Sequence, residues 1–466
     1  MSRAEAIARA ERYFDDGGFV AELSRRVAIP TESQNPDRGA ELERYLTAEM
    51  QPSLEKLGFQ CRLYPNPLAP RGGPFLLAER IEDPALPTVF SYGHGDVIRG
   101  LEAQWKQGLD PWKVTREGDR LYGRGTADNK GQHTINIAGL EAVLGVRGKL
   151  GFNVKLLIET GEEMGSPGLR ELCAREKAAF KADVLIASDG PRLAPERPTV
   201  FLGSRGAINI EMDVNLREGG HHSGNWGGLL ADPGVILSHA IASITGPKGE
   251  IRVPEWRPNG SLTPAVRAAL ADCEVEGGDE GPAIDWDWGE PGLSPAERVF
   301  GWTSFSVLAF VTGNPANPVN AIAPRATATV QLRTVVGIDT KDVVPALRRH
   351  LDKHGFERVK VKMARMEAFA PTRLDPEHPW VKWTVASLAK TSGKKPAILP
   401  NLGGSLPNDI FSEILGLPTV WIPHSYAACS QHAPNEHMLA SLAREALGLM
   451  AGVWWDLGEK GVPARA

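Results

Sequence analysis

The sequence predicts an α/β protein: a larger domain with a mostly parallel central sheet flanked by helices, interrupted by a smaller inserted α+β domain. Three observations carry this. Short, nearly continuous apolar runs rich in β-branched residues recur at 88–92, 154–158, 184–187 and 419–422, the pattern of strands covered by helices on both faces. Helical stretches such as 130–144 and 167–177 lie between them, and alternation of strand and helix argues a parallel sheet. Near Gly203 the style changes to strands that alternate in polarity, and after Pro371 the buried style returns.

Taken in order, residues 3–29 read as a helix rich in Ala, Glu and Arg. It stops before Pro30, because the residue before proline is pushed out of the α region. Residues 41–57 read as a second helix, and the four buried strands and their helices follow. Residues 207–216 and 327–332 alternate like half-exposed strands. Residues 359–362 read as a short strand, and 229–244 and 343–353 as helices. Helices at 380–391 and 439–455 close the chain. The expected division is 1–204 with 371–466 for the larger domain and 205–370 for the insert. Within it, 254–302 holds Trp256, Trp286, Trp288 and Trp302, has the least pattern, and reads as a long loop.

Composition narrows the function. The 466 residues are 42% hydrophobic and 23% charged, ordinary for a globular chain of more than one domain. Lys plus Arg number 52 against 57 Asp plus Glu, a net charge of −5, which argues against a basic nucleic-acid footprint. No apolar run approaches the roughly 18 residues of a membrane span, and residues 1–19 lack the apolar stretch of a secretory signal. Cys61, Cys173, Cys273 and Cys429 form no CxxC pair, so a reducing, cytoplasmic setting is expected.

The chemistry-bearing residues collect after the carboxyl ends of buried strands, where open α/β sheets place ligands. The run at 88–92 leads into Gly93-His94-Gly95-Asp96, and 154–158 into Thr160-Gly161-Glu162-Glu163. Residues 184–187 lead into Ser188-Asp189-Gly190, and 419–422 into Pro423-His424 and then His432. Gly123-Arg124-Gly125-Thr126-Ala127-Asp128-Asn129-Lys130-Gly131 stands just before a helix. Singly, each has an ordinary reading: a turn, a satisfied histidine, a solvated acidic face. Together they offer His nitrogen and carboxylate oxygen, donors that zinc accepts. A two-metal site needs a carboxylate to bridge ions about 3.5–4 Å apart and an outer acid to orient an imidazole. Asp96, on the same strand face as His94, suits the second role. Of the adjacent Glu162 and Glu163, one can bind metal while the other stays free as a base.

In this order, His94-Gly-Asp96, Gly-Arg-Gly-Thr-Ala-Asp128-Asn-Lys-Gly, Glu162-Glu163, Ser-Asp189-Gly and His432-Ala-Pro-Asn-Glu resemble the aminoacylase–carnosinase family of di-zinc metallopeptidases and deacylases, over about residues 20–455. The resemblance implies two divalent metal ions per chain, Zn2+ with Mn2+ or Co2+ as alternatives. It implies His94 and Asp189 on one ion, Glu163 and His432 on the other, and Asp128 bridging them. Glu162 would be the general base acting through a metal-bridging water, and Asp96 would orient His94. Asp128–Asn129 is a candidate cis peptide. Gly219-Gly220-His221-His222-Ser223-Gly224 resembles a lid motif whose histidine, here His222, reaches the partner's active site in dimeric relatives. Asn320 and Arg333 resemble substrate-contacting positions, and an Arg can grip a terminal carboxylate with two hydrogen bonds. Gly403-Gly404-Ser405-Leu406-Pro407 resembles a loop offering that carboxylate backbone amides, at Gly404, and the Ser405 hydroxyl. Thr334-Val335-Val336-Gly337 departs from the family pattern after the arginine, and Asn320 stands where some dipeptidases carry a hydroxyl.

The expected function is therefore a metal-dependent hydrolase that cleaves the peptide or amide bond of a dipeptide or N-acyl amino acid with a free carboxylate. One alternative turns the same machinery on an unusual non-peptide amide or aryl amine. Another, a non-catalytic metal-binding protein, is opposed by the free base that Glu162 supplies beside Glu163. The expected partners are the small substrate and a second copy of the chain through the insert, with no nucleic acid or membrane. Cys429, three residues before His432, reads as a small packed residue, with a catalytic thiol as the competing assignment.

Overall fold

The computed structural model describes residues 1–275, 282–364, 369–459 and 461–463. An eight-stranded sheet runs in the order Gln60–Tyr64, Phe75–Arg80, Asn153–Glu159, Thr88–His94, Val184–Ala187, Thr419–Trp421, Thr199–Phe201 and Ala397–Leu399. From Asn153–Glu159 to Thr419–Trp421 the four central strands are parallel. The first two pair antiparallel on one flank, and Thr199–Phe201 reverses direction on the other. The α/β class with a mostly parallel core is what the apolar runs imply.

Alternation along the central strands feeds two cores. Val89, Val154, Ile158 and Ile186 pack with residues of the helices Arg3–Asp15, Lys130–Arg147 and Ala440–Leu457. Phe90, Tyr92, Leu157 and Leu185 pack on the other face with Leu169 and Leu172 of the helix Leu169–Arg175. Covered on both faces, Asn153–Glu159 and Val184–Ala187 are buried at every residue. The strand order reverses at Thr88–His94, whose neighbours on its two sides are Asn153–Glu159 and Val184–Ala187. Such a switch point opens a crevice outside the carboxyl ends of the strands.

A second, antiparallel sheet takes the order Ser304–Thr312, Arg325–Thr334, Gly206–Asn215 and Lys360–Met363. Its two long inner strands alternate buried and half-buried residues. The buried ones pack against Leu237 and Ala240 of the helix Pro233–Ile244 and Leu347 of the helix Val343–Lys353. On the edge strand Ser304–Thr312, Val307, Leu308, Phe310 and Val311 stay exposed.

Several expectations change. The opening helix is two, Arg3–Asp15 and Gly18–Val27, because Gly17 between them takes a φ of 82°, a left-handed turn open to glycine. The helix expected from 229 starts at Pro233, where Asp232 accepts from the Gly234 and Val235 amides. The loop expected at 254–302 carries the helices Pro254–Trp256, Pro264–Ala271 and Pro295–Phe300. Each has proline in its first turn, and Thr263 and a Ser294–Glu297 capping box start the last two. Residues 276–281 of that stretch, 365–368 of the expected insert, and 460 and 464–466 of the expected larger domain lie outside the described residues. Among the described residues no helix is long and apolar enough to cross a membrane, and all four cysteines are free thiols.

Trp454, fully buried in the last helix, stacks on Phe152 with ring centroids 6.0 Å apart, and its Nε1 donates to the Asn136 carbonyl at 3.0 Å. Trp454→Ala should cost about 3–5 kcal/mol through the cavity it leaves. A clear drop in the thermal unfolding midpoint is the expected outcome, and Trp454→Phe should recover part of it.

Candidate metal centre

His94 ends the central strand Thr88–His94 and is buried. Its Nδ1–H donates to the Asp96 main-chain oxygen at 3.0 Å, which turns Nε2 toward the carboxylates. Nε2 lies 2.9 Å from Asp128 Oδ1 and 3.7 Å from Asp189 Oδ2. On the outer side, His432 Nε2 lies 3.1 Å from Asp128 Oδ2 and 3.0 Å from Glu163 Oε2. Two groups of donor atoms result, His94–Asp128–Asp189 and Asp128–Glu163–His432. The inner group is buried, while the His432 side chain is 54% exposed at the rim. Asp128 gives one carboxylate oxygen to each.

Backbone geometry places these side chains. The Asp96 carboxylate accepts the successive amides of Glu162 and Glu163, each at 3.1 Å, and so fixes the short helical turn Glu162–Met164. The same carboxylate lies 3.5 Å from His94 Nδ1, farther than its own main-chain oxygen. Lys130, at the start of the helix Lys130–Arg147, buries its ammonium on the Arg26 and Ile29 carbonyls at 3.0 and 2.7 Å, at and just past the end of the helix Gly18–Val27. The Asp128–Asn129 peptide bond is cis. His432 itself is left-handed, with φ 59°, as are Ser430 and Asn435 in the same loop; non-glycine residues there carry strain that surrounding structure must hold.

Charge explains why a cation fits. Asp128 is held below the usual carboxylate range; burial opposes this, but hydrogen bonds from His432 and His94 prevail. Its neighbours go the other way. Burial, then the Asp128 charge, pushes Glu163 up to about 7 and Asp189 up to about 6. Burial raises Glu162 well above its ordinary value, with the Glu163, Asp189 and Asp128 charges adding to it. Two imidazoles do not offset this much buried acid, and Asp189 Oδ2 has no hydrogen-bond partner. A buried charge needs pairing or a metal, and the all-oxygen-and-nitrogen donor set suits a divalent ion.

Both groups open on one cavity of about 700 Å³, whose lining includes Glu162, Arg333, Gly404 and Ser405. Arg333 Nη1 donates to Ser405 Oγ at 2.8 Å, and that hydroxyl donates to the Arg205 carbonyl at 2.7 Å. Burial and the nearby Arg333 charge push the Arg205 guanidinium down to about 10. The Arg333 guanidinium on the cavity wall, with a second cation close enough to act on it, favours an anion there. Phe300, Leu399 and Leu402 form an apolar wall of the same cavity. His222 and Asn320 do not line it. They lie side by side and exposed, where His221–His222 pairs with Ala321–Ile322 and the Ser223 amide donates to the Asn320 carbonyl at 2.9 Å. Cys429 is buried, and burial pushes its thiol up to about 12, the state of a packed residue and not of a nucleophile.

Sequence reasoning passed over Glu436. Its Oε1 accepts the amides of Gly125, Ala127 and Asp128 at 3.0, 3.0 and 3.1 Å, and its Oε2 pairs with Arg124 Nη1 at 2.8 Å. It closes the quoted His432-Ala-Pro-Asn-Glu motif, and the available signal was an acid set directly before the short buried strand His437–Leu439. Tyr45 and His133, both buried behind His94, carried no signal within an apolar helical pattern.

Comparison with known proteins adds the following. The profile of peptidase family M20/M25/M40 matches residues 90–456. The Beta-Ala-His dipeptidase of Mus musculus is 37% identical over 185 residues, 39% of this chain and 37% of that protein. The matched region spans about half or less of the first curated relatives. The cysteinylglycine-S-conjugate dipeptidase of Corynebacterium striatum is 26% identical over 408 residues, 85% of this chain and 84% of that one. The M20 family metallo-carboxypeptidase of Sulfolobus solfataricus superposes with a TM-score of 0.79 at 25% identity, covering 94% of this chain and 99% of that one.

Glu436→Gln tests the hold on Asp128. An amide in this place must aim its NH2 either at Arg124 or at three backbone amides, so a donor meets a donor. Metal affinity should fall about 10–100-fold, at both groups because they share Asp128. Competition with a chelator measures it, and unchanged affinity would show that Asp128 is held without Glu436.

Proposed function

Because the chain belongs to peptidase family M20/M25/M40, we propose that it is a metal-dependent hydrolase of dipeptides, or of N-acyl amino acids, that carry a free carboxylate. One observation carries the reading: Asp128 is shared between two groups of metal-type donors at one end of a cavity that also holds Glu162 and the Arg333–Ser405 pair. The dipeptidase names of the relatives favour the peptide side of this pair.

In this reading His94, Asp128 and Asp189 would hold one divalent ion, and Asp128, Glu163 and His432 the other. Zn2+, Mn2+ and Co2+ all suit these donors. When bound, such ions polarise the scissile carbonyl and acidify the attacking water. Glu162 takes the water's proton and returns it to the leaving amine; a carboxyl kept above its ordinary range is matched to both halves of that transfer. The substrate's carboxylate rests on Arg333 and on the amides around Gly404, and on the Ser405 hydroxyl once its proton turns from the Arg205 carbonyl. Asp96 keeps Glu162 and Glu163 in their separate directions by holding both amides.

His222 and Asn320 complete the site from a second copy of the chain, in a homodimer formed through the insert at 205–370. The support is their position together outside their own cavity, next to a sheet whose edge strand Ser304–Thr312 exposes four large apolar residues. An exposed edge of this kind pairs with a copy of itself, and a two-fold interface is self-complementary. His222 would then steady the negative charge that develops on the carbonyl oxygen. Four free thiols support a reducing, cytoplasmic setting.

Two experiments test this. Against a panel of dipeptides and N-acyl amino acids, the metal-loaded chain should be active and Glu162→Gln should lose about a thousandfold or more in kcat with metal content unchanged. Near-normal turnover would assign the base elsewhere. For the dimer, inactive Glu162→Gln chains mixed with inactive His222→Ala chains should regain up to one intact site per heterodimer. No recovery despite proven subunit exchange would confine His222 to its own chain.

A further inference from the structure

His94 is flanked by glycine on both sides, and close approach explains both. A Cβ on Gly93 would fall 2.7 Å from the Cβ of His133, and one on Gly95 would fall 2.4 Å from the Tyr45 ring. Tyr45 and His133 are fully buried, and neither belongs to the two donor groups. They are joined to one another, with the Tyr45 hydroxyl 2.7 Å from His133 Nε2. His133 Nδ1 lies 3.1 Å from Asn129 Oδ1, and Asn129 Nδ2 donates to the Ser188 carbonyl at 2.8 Å. Asn129 follows Asp128, and Ser188 precedes Asp189. One buried chain of side chains therefore touches the backbone on both sides of His94 and beside the other two members of the inner group. Glu163 and His432 are set by different means, the Asp96 carboxylate and the left-handed loop at 430–435.

The direction of this chain is determined. Asn129 uses its NH2 on Ser188, so its Oδ1 can only accept, and His133 Nδ1 must carry the proton. Burial and the Arg26 charge keep the His133 imidazole well below its ordinary pKa, and thus neutral. A neutral ring protonated at Nδ1 leaves Nε2 as an acceptor, which the Tyr45 hydroxyl fills. Each group points one way, from Tyr45 through His133 and Asn129 to the strand end that bears Asp189.

We propose that Tyr45 and His133 are positioning residues for the inner metal group, holding His94 and Asp189 in a ligating arrangement while Asp128 is held by Glu436, and so setting its affinity independently of the rim group. The inference rests on the two-metal reading above. Its test is metal affinity, read by chelator competition with Zn2+. His133→Phe keeps a ring against Gly93 but deletes both hydrogen bonds; Tyr45→Phe keeps the ring against Gly95 and deletes one. Each is measured with Glu163→Gln, which leaves the inner group to be titrated, and with Asp189→Asn, which leaves the rim group. Inner affinity should fall about 10–100-fold in His133→Phe and by less in Tyr45→Phe. Rim affinity should stay within about twofold, the usual error of additivity. Equal losses at both groups, or an unchanged inner affinity in Tyr45→Phe, overturn the proposal, and Tyr45→Phe decides alone if His133→Phe does not fold. A parent chain that binds no metal would instead overturn the two-metal reading itself.

Discussion

The buried carboxylate of Glu436 meets three backbone amides and one guanidinium, and the shape of the centre follows from that contact. The segment from Gly123 to Asp128 has no regular ladder of its own, so its amides need an acceptor. A charged acceptor makes the stronger bond, and Arg124 offsets the cost of burying it. The third amide belongs to Asp128. With its backbone pinned there, one oxygen turns inward to His94 and the other outward to His432. Remove that restraint and the two donor groups lose their common member.

The sheet contributes what a loop alone could not. His94 ends one of three adjacent parallel strands and Glu162, Glu163 and Asp189 follow the other two, so the spacing between strands sets the spacing between these side chains. Two apolar cores grip those strands from either face and leave little freedom at their carboxyl ends. The acids can then be crowded together, with Glu163 and Asp189 both pushed upward by burial and then by the Asp128 charge, because relaxing apart would mean disturbing packed cores. Functional sites store such conflict and the scaffold supports it.

How much of this was legible follows from where each signal resides. Strands buried on both faces announce themselves by unbroken apolar runs, so the central four were read to within about a residue or two. Gln60–Tyr64 lies at the sheet edge, mostly exposed, and carries no such run. The edge strand Ser304–Thr312 does carry an unbroken apolar run, Val307–Val311, but the run is exposed, so an apolar run alone does not tell a buried strand from an edge. Ligand-type residues were visible because each stands in a short motif, at or after a strand end for His94, Glu163 and Asp189 and before a helix for Asp128. Tyr45 and His133 are 88 residues apart in sequence; their meaning is a shared hydrogen bond, which no local pattern records. The positions of His222 and Asn320 relative to the cavity depend on how the insert sits, which periodicity does not encode.

The route of the chain has a temporal side. Asp128 and Glu436 are separated by 308 residues, yet the first is held in place by the second. During synthesis the loop at 123–128 leaves the ribosome long before its acceptor exists, with its acids in place but its ends unpinned. His432 arrives with Glu436, on the same stretch. A nascent chain therefore carries most of the candidate metal donors without the residue that aligns them, and the centre has no complete frame until the stretch bearing Glu436 is made. The chain thus spends most of its own synthesis without a finished centre.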